Sequence, residues 1–201
     1  MASSFPEIHL VRHGETEWSL SGRHTGRSDI PLTAKGEAAA RDVGSRLAGR
    51  GFAAVWSSPS QRARDTCELS GFGAGAIVKD DLAEWDYGAY EGITTKEIQA
   101  SLPGWQLFRD GCPKGEAAAD VGARADRITS ELRQANAPIL IFSSSHFLRV
   151  LGARWLGLPP GGGRYFLLGT ASVSTLGYEH DKTEPVFKQW NNPRGSALLP
   201  D

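Results

Sequence analysis

Short apolar runs alternate with helix-like stretches along most of this chain of 201 residues. That order leaves few architectures open, because each strand must hand over to a helix that packs back on the sheet. It gives an α/β domain with helices on both faces. Ile139 to Phe142 is the clearest buried strand: four apolar residues between Pro138 and a run of serines, with no polar alternation. Ile8 to Val11, Ala53 to Ser57 and the short Ile77-Val78 also read as strands, as do Tyr165 to Leu168, Ser172 to Tyr178 and Val186 to Trp190. Thr33 is the expected N-cap of an alanine-rich helix ending near Gly49 and Gly51. Ser58-Pro59 supplies an N-cap and an N1 proline for a helix carrying Arg62, Arg64 and Thr66. Thr95 to Ser101, Ala117 to Ala135 and Phe147 to Leu156 complete the helices. One domain is expected over residues 1–201, with a core from about 8 to 192 and a tail from Gly195 to Asp201.

The formal charge is −1, with lysines, arginines and acids scattered, so neither nucleic acid nor an anionic membrane is expected as the main partner. Any positive field must be local. No apolar run reaches membrane-spanning length, and Met-Ala-Ser-Ser-Phe-Pro-Glu lacks the basic start and apolar core of a secretory leader, so a cytoplasmic protein is expected. Cys67 and Cys112 are too few for a disulfide framework, have no metal-ligand spacing, and read as reduced structural thiols.

Three polar clusters fall at strand ends, where open α/β sheets gather their chemistry. They are Arg12-His13, then Ser57-Ser58-Pro59 with Arg62, and Ser143-Ser144-Ser145-His146. A neutral imidazole nitrogen can attack phosphorus near pH 7, and an adjacent guanidinium offers planar donors to phosphate oxygens. Arg12-His13 therefore reads as an anion site with a nucleophile in it. A fourth stretch, Leu82 to Gly92, mixes carboxylates, aromatics and glycines in an expected loop. Trp85 and Tyr87 flank Glu84 and would desolvate its carboxyl group, the setting a general acid near neutral pH needs.

Together these segments resemble the histidine phosphatase superfamily, also called phosphoglycerate mutase-like. The resemblance rests on Arg12-His13-Gly14-Glu15-Thr16-Glu17-Trp18, Gly22-Arg23-His24-Thr25-Gly26, Pro31-Leu32-Thr33-Ala34-Lys35-Gly36, Ser57-Ser58-Pro59-Ser60-Gln61-Arg62-Ala63 and Gly115-Glu116. Glu84-Trp85-Asp86-Tyr87-Gly88 and Gly111-Cys112-Pro113 look most like its acid phosphatase and sedoheptulose bisphosphatase-like branch. The resemblance implies a three-layer α/β/α sandwich around a largely parallel sheet. It makes His13 the residue that is transiently phosphorylated, Arg12 and Arg62 the holders of the phosphoryl oxygens, and Glu84 the proton donor to the leaving alkoxide and later the base for water. Ser19 stands where relatives often carry a phosphate-contacting asparagine, and Thr25, Gly26 and Tyr87 match pocket positions in the mutases. No metal or other cofactor is implied.

One motif departs from the family, which normally has a second histidine in a Ser-His-Gly motif after the later strand. Aligning Phe147 and Arg149 without a gap puts Ser144 at that histidine and His146 at an extra histidine of the branch. Two accounts stay open: His146 replaces the missing donor, with Ser144 supporting it, or His146 only caps or packs its helix. The expected activity is hydrolysis of phosphomonoesters of small metabolites, sugar phosphates foremost. The alternatives are a bisphosphoglycerate-dependent mutase and a phosphometabolite-binding module with weakened catalysis. Specificity is expected from Ser19 to Asp29, the stretch after Glu84 and Trp105 to Pro113. His9 and His180 are read as structural, His24 as either structural or substrate-contacting, and Trp18, Trp85 and Trp105 as packing residues. Oligomeric state is open, a homodimer included.

Overall fold

The computed structural model describes residues 5–196 and 198; residues 1–4 of the opening and residues 197 and 199–201 of the expected tail lie outside them. Six strands form one sheet: β1 (Ile8–Arg12), β2 (Ala54–Ser57), β3 (Ile77–Val78), β4 (Ile139–Ser143), β5 (Val173–Tyr178) and β6 (Pro185–Asn192). Their order is β3-β2-β4-β1-β5-β6. The first four run parallel, whereas β5 is antiparallel to β1 and β6 to β5. The helices are α1 (Glu17–Ser21), α2 (Ala34–Leu47), α3 (Gln61–Leu69), α4 (Thr95–Ser101), α5 (Leu107–Asp110), α6 (Ala118–Gln134) and α7 (Ser145–Trp155). None among the described residues is long and apolar enough to cross a membrane.

Strand residues alternate between the two faces of the sheet, and the core divides accordingly. Ile8, Leu10, Ile139 and Ile141 join Ile128 and Leu132 of α6 and Leu148 and Leu151 of α7 in one cluster. Val11, Leu140 and Phe142 join Val43 and Leu47 of α2 and Cys67 of α3 in the other. The result is the expected three-layer α/β/α sandwich. Both cysteines are free and buried, and burial pushes each thiol up to about 12.

Thr33 caps α2 as expected, its hydroxyl accepting from Gly36 N at 3.0 Å. The helix expected from Ser58-Pro59 begins later, at Gln61 with Ser60 as N-cap. The delay has a cause in the sheet: Ser58 N still donates to Phe142 O at 2.8 Å, so the backbone stays extended past β2. The strand expected from Tyr165 to Leu168 is absent. Pro159, Pro160 and three glycines instead wind Pro160–Tyr165 into a 3-10 turn, and the free edge of β1 is already paired with β5. Leu167 is left 72% exposed. The described end of the tail is anchored, with Arg46 Nε donating to Ser196 O and Leu198 packed on the second cluster.

Candidate active site

The parallel register pairs Arg12 with Ser143, so the residues that follow, His13 and Ser144, leave the sheet side by side. His13 N donates to Ser143 O at 2.9 Å and ties the two strand ends together. The turn after His13 is fixed by close contact: a Cβ on Gly14 would meet Gly36 O at 2.6 Å, and one on Gly36 would meet Glu15 O at 2.2 Å. Gly14 N also donates to Thr66 Oγ1 on α3. Two separated sequence motifs therefore brace the segment that carries His13.

His13 Nδ1 lies 2.7 Å from Gly14 O. A carbonyl only accepts, so Nδ1 carries the proton and Nε2 keeps its lone pair. Burial, then the charges of Arg62 and Arg12, hold this imidazole well below its ordinary 6.5. Neutrality with a free nitrogen lone pair is the state a nucleophilic imidazole requires. Arg12 beside it donates to Leu168 O at 2.5 Å, while its buried Nε has no partner among the described residues. Burial lowers its pKa to about 10, which leaves the guanidinium charged at neutral pH.

Arg62 is brought close enough to act on His13 but is placed differently from the expectation. It is fully buried, and its terminal nitrogens donate to Ser28 O, Thr25 O and Gly26 O at 2.8 to 3.1 Å. It holds the loop over the site rather than lining the cavity. Its Nε, like that of Arg12, is buried without a partner among the described residues.

Glu84 follows a 3-10 turn over Asp80–Leu82 and is 7% exposed. Its Oε1 accepts from Trp85 N and Phe147 N, and Oε2 from His146 N at 3.0 Å. Helix α7 thus begins two residues earlier than expected because a carboxylate from another segment satisfies its first N–H groups. Ser144 occupies the N-cap position without capping, and its buried Oγ has no hydrogen-bond partner among the described residues.

A cavity of about 440 Å³ opens here, lined by Arg12, His13, Ser19, Arg23, His24, Thr25, Glu84, Tyr87, Thr95, Ser145, His146, Arg149, Leu167, Leu168, Gly169 and Asn191, with Gly22 at its edge. Of the expected residues it gathers Arg12, His13, Glu84, His146, Ser19, Thr25 and Tyr87. Gly26 and Ser144 are not on its wall. Gly26 supports the loop: its N donates to the Glu91 carboxylate at 2.9 Å, and a Cβ there would meet Trp85 O at 2.7 Å. Ser144 lies behind the wall, completely buried. His24 faces the cavity, its Nδ1 donating to Ile93 O at 2.6 Å. Trp18, Trp85 and Trp105 do not line it, as their packing role predicts.

Three cationic side chains face this cavity against one carboxylate, which gives the local positive field that a chain of charge −1 requires. Arg149 was not among the expected site residues, and Arg23 was covered only by the Ser19 to Asp29 stretch from which specificity is expected. Arg149 stands three positions after His146 on one helix, so the i, i+3 spacing was the available signal. Asn191 and Leu167 to Gly169 come from distant segments that carry no motif. Trp105 to Pro113 contributes no lining residue, although Phe108 packs edge-on against the His146 ring at 5.4 Å. A second cavity, of about 490 Å³, lies beyond Glu84, walled by Gly26, Asp29, Ser58, Asp80, Asp86, Glu116 and Arg124 among others. Glu84 borders both.

The profile of the histidine phosphatase superfamily (branch 1) matches residues 8–193. An acid phosphatase of Mycobacterium tuberculosis is 40% identical over 175 residues, covering 85% of this chain and 86% of that protein. Sedoheptulose 1,7-bisphosphatase of Saccharomyces cerevisiae is 34% identical over 191 residues, covering 79% and 70% respectively. A solved structure from Mycobacterium tuberculosis superposes with a TM-score of 0.88 at 38% identity, covering 94% of this chain and 98% of that one. A sheet that sets Arg12 and His13 at the end of its first strand, and a family match over nearly its whole length, make this chain a member of the histidine phosphatase superfamily.

Proposed function

We propose that this enzyme hydrolyses phosphomonoesters of small metabolites, sugar phosphates foremost, through a phosphohistidine at His13. The observation that carries the reading is the Nδ1 bond of His13 to Gly14 O, which leaves Nε2 as an uncharged nucleophile beside Arg12. Nε2 attacks phosphorus, the bond to the ester oxygen breaks, and the departing alkoxide takes a proton from Glu84. Oε2 is the atom suited to this, since it accepts one backbone N–H where Oε1 accepts two. In the second half, water attacks phosphorus and gives a proton back to Glu84 as the P–N bond breaks. Arg12 neutralises charge on the phosphoryl oxygens, and Arg62 takes part after exchanging a loop carbonyl for an oxygen of the substrate. His146 supplies the donor that Ser144 cannot, and Ser19, Thr25 and the aromatic ring of Tyr87 contact the substrate. The names of the acid phosphatase and the sedoheptulose bisphosphatase support hydrolysis and a sugar phosphate.

The test compares wild type with His13→Ala on p-nitrophenyl phosphate and on a panel of sugar phosphates. Phosphate release by wild type and its loss in the variant is expected. Equal rates would remove the chemistry, and efficient phosphoglycerate interconversion without phosphate release would replace hydrolysis with the mutase reading.

A further inference from the structure

Three imidazoles face the one cavity, and their hydrogen bonds do not leave them equivalent. His13 and His24 each place Nδ1 against a backbone carbonyl, which accepts and cannot donate. Both rings therefore present a bare Nε2. His146 is held the other way: its Nδ1 lies 2.6 Å from the Tyr87 hydroxyl. Tyr87 is buried at 2% exposure, and this is the only hydrogen bond recorded for its oxygen among the described residues. A buried phenol with one partner is satisfied by donating its proton. Burial pushes that phenol well above its ordinary 10, so the proton stays on it. Nδ1 of His146 must then be the bare nitrogen, and Nε2 the one that carries hydrogen. The ring has little freedom to turn, because Phe108 meets it edge-on at 5.4 Å and His24 stacks on it at 6.2 Å.

We propose that Tyr87 is a positioning residue that fixes His146 in its Nε2–H form, making it a neutral hydrogen-bond donor to the phosphoryl group in a pocket where serine has replaced the usual second histidine. This rests on the reading of His13 as phosphoryl acceptor. It assigns Tyr87 a task separate from any contact with substrate. The unpartnered Ser144 hydroxyl fits the same account: it lies behind the cavity wall and leaves the donor's work to another side chain.

The experiment pairs ¹⁵N NMR of the His146 ring with kinetics on Tyr87→Phe, His146→Gln and the double variant. Wild type is expected to show a bare Nδ1 and a protonated Nε2, with the Nε2–H signal moved by inorganic vanadate. Tyr87→Phe is expected to mix the two tautomers, lower kcat on p-nitrophenyl phosphate about tenfold, and weaken vanadate binding by a similar factor. His146→Gln keeps a donor near the Nε2 position without depending on Tyr87. In that background Tyr87→Phe is expected to cost less than about twofold. A protonated Nδ1 in wild type, a vanadate-insensitive Nε2–H, or equal losses from Tyr87→Phe in both backgrounds would each overturn the proposal. Failure of the phosphohistidine itself shows separately, as phosphatase activity that survives His13→Ala.

Discussion

The ends of β1 and β4 are neighbours in register, yet they are furnished in opposite ways. At β1 the chain sets a charged guanidinium and an imidazole whose proton is pinned by a carbonyl. Just past β4 it sets Ser144, whose hydroxyl has no partner among the described residues, and the helix that follows has its N-terminus satisfied by Glu84 from elsewhere. The first end carries its own charged and imidazole groups, braced by Gly36 and Thr66. The second is met by groups brought to it on one loop, Glu84 on the first N–H groups of α7 and Tyr87 on the His146 ring.

The most severe way to test the contrast is His13→Ala, expected to lower kcat/KM on any turned-over phosphomonoester by about four orders of magnitude, since it removes the proposed phosphoryl acceptor. Steady-state kinetics with a circular dichroism check reads it. Next is Glu84→Gln, expected to lower kcat by about a hundredfold and stability by about 1 to 3 kcal/mol. The amide NH₂ would oppose a backbone N–H that the carboxylate now accepts, and urea unfolding beside kinetics separates the two losses. Ser144→His restores the usual imidazole and is expected to raise kcat by roughly tenfold, because it adds a second N–H donor to the phosphoryl group beside His146. Unchanged or lower turnover with intact folding would break the comparison.

Acid should expose the same contrast through stability. His13, His24 and His146 are held below the ordinary 6.5, each mainly by burial. The unfolded chain takes up protons that the folded one refuses, so stability is full above that value and is lost as pH falls below it. Thermal melts from pH 7 to pH 4.5 should show the decline, and His146→Gln should flatten it. The smallest effect is expected from Ser144→Ala: removing an unpartnered buried hydroxyl leaves stability unchanged or raises it by up to about 1 kcal/mol.

Much of this was legible in the residues. The Ile139 strand announced itself by four apolar residues in a row, and Thr33 by a hydroxyl before a helical pattern. Arg12, His13 and Glu84 could be found because they are local in sequence. Other features were closed to such reading because they depend on distant backbone. Tyr165 to Leu168 has the composition of a strand but no free edge to pair with. Arg62 could be named from its motif, yet its bonds to the carbonyls of Thr25, Gly26 and Ser28 follow from how a loop folds over it. The carboxylate that accepts from the first N–H groups of α7 could not be read near Ser144, since it lies some sixty positions earlier.

The close contact of Gly14 with Gly36 has a consequence for how this enzyme tolerates change. Position 36 does not line the cavity and offers no side chain to any ligand, yet the smallest branch there would strike the backbone at Glu15 and shift the segment that carries His13. In a library of random replacements scored for turnover, Gly36 should rank among the least permissive positions, beside His13 itself. A map of such sensitivities would therefore outline the scaffold behind the reacting atom as sharply as the groups that touch it.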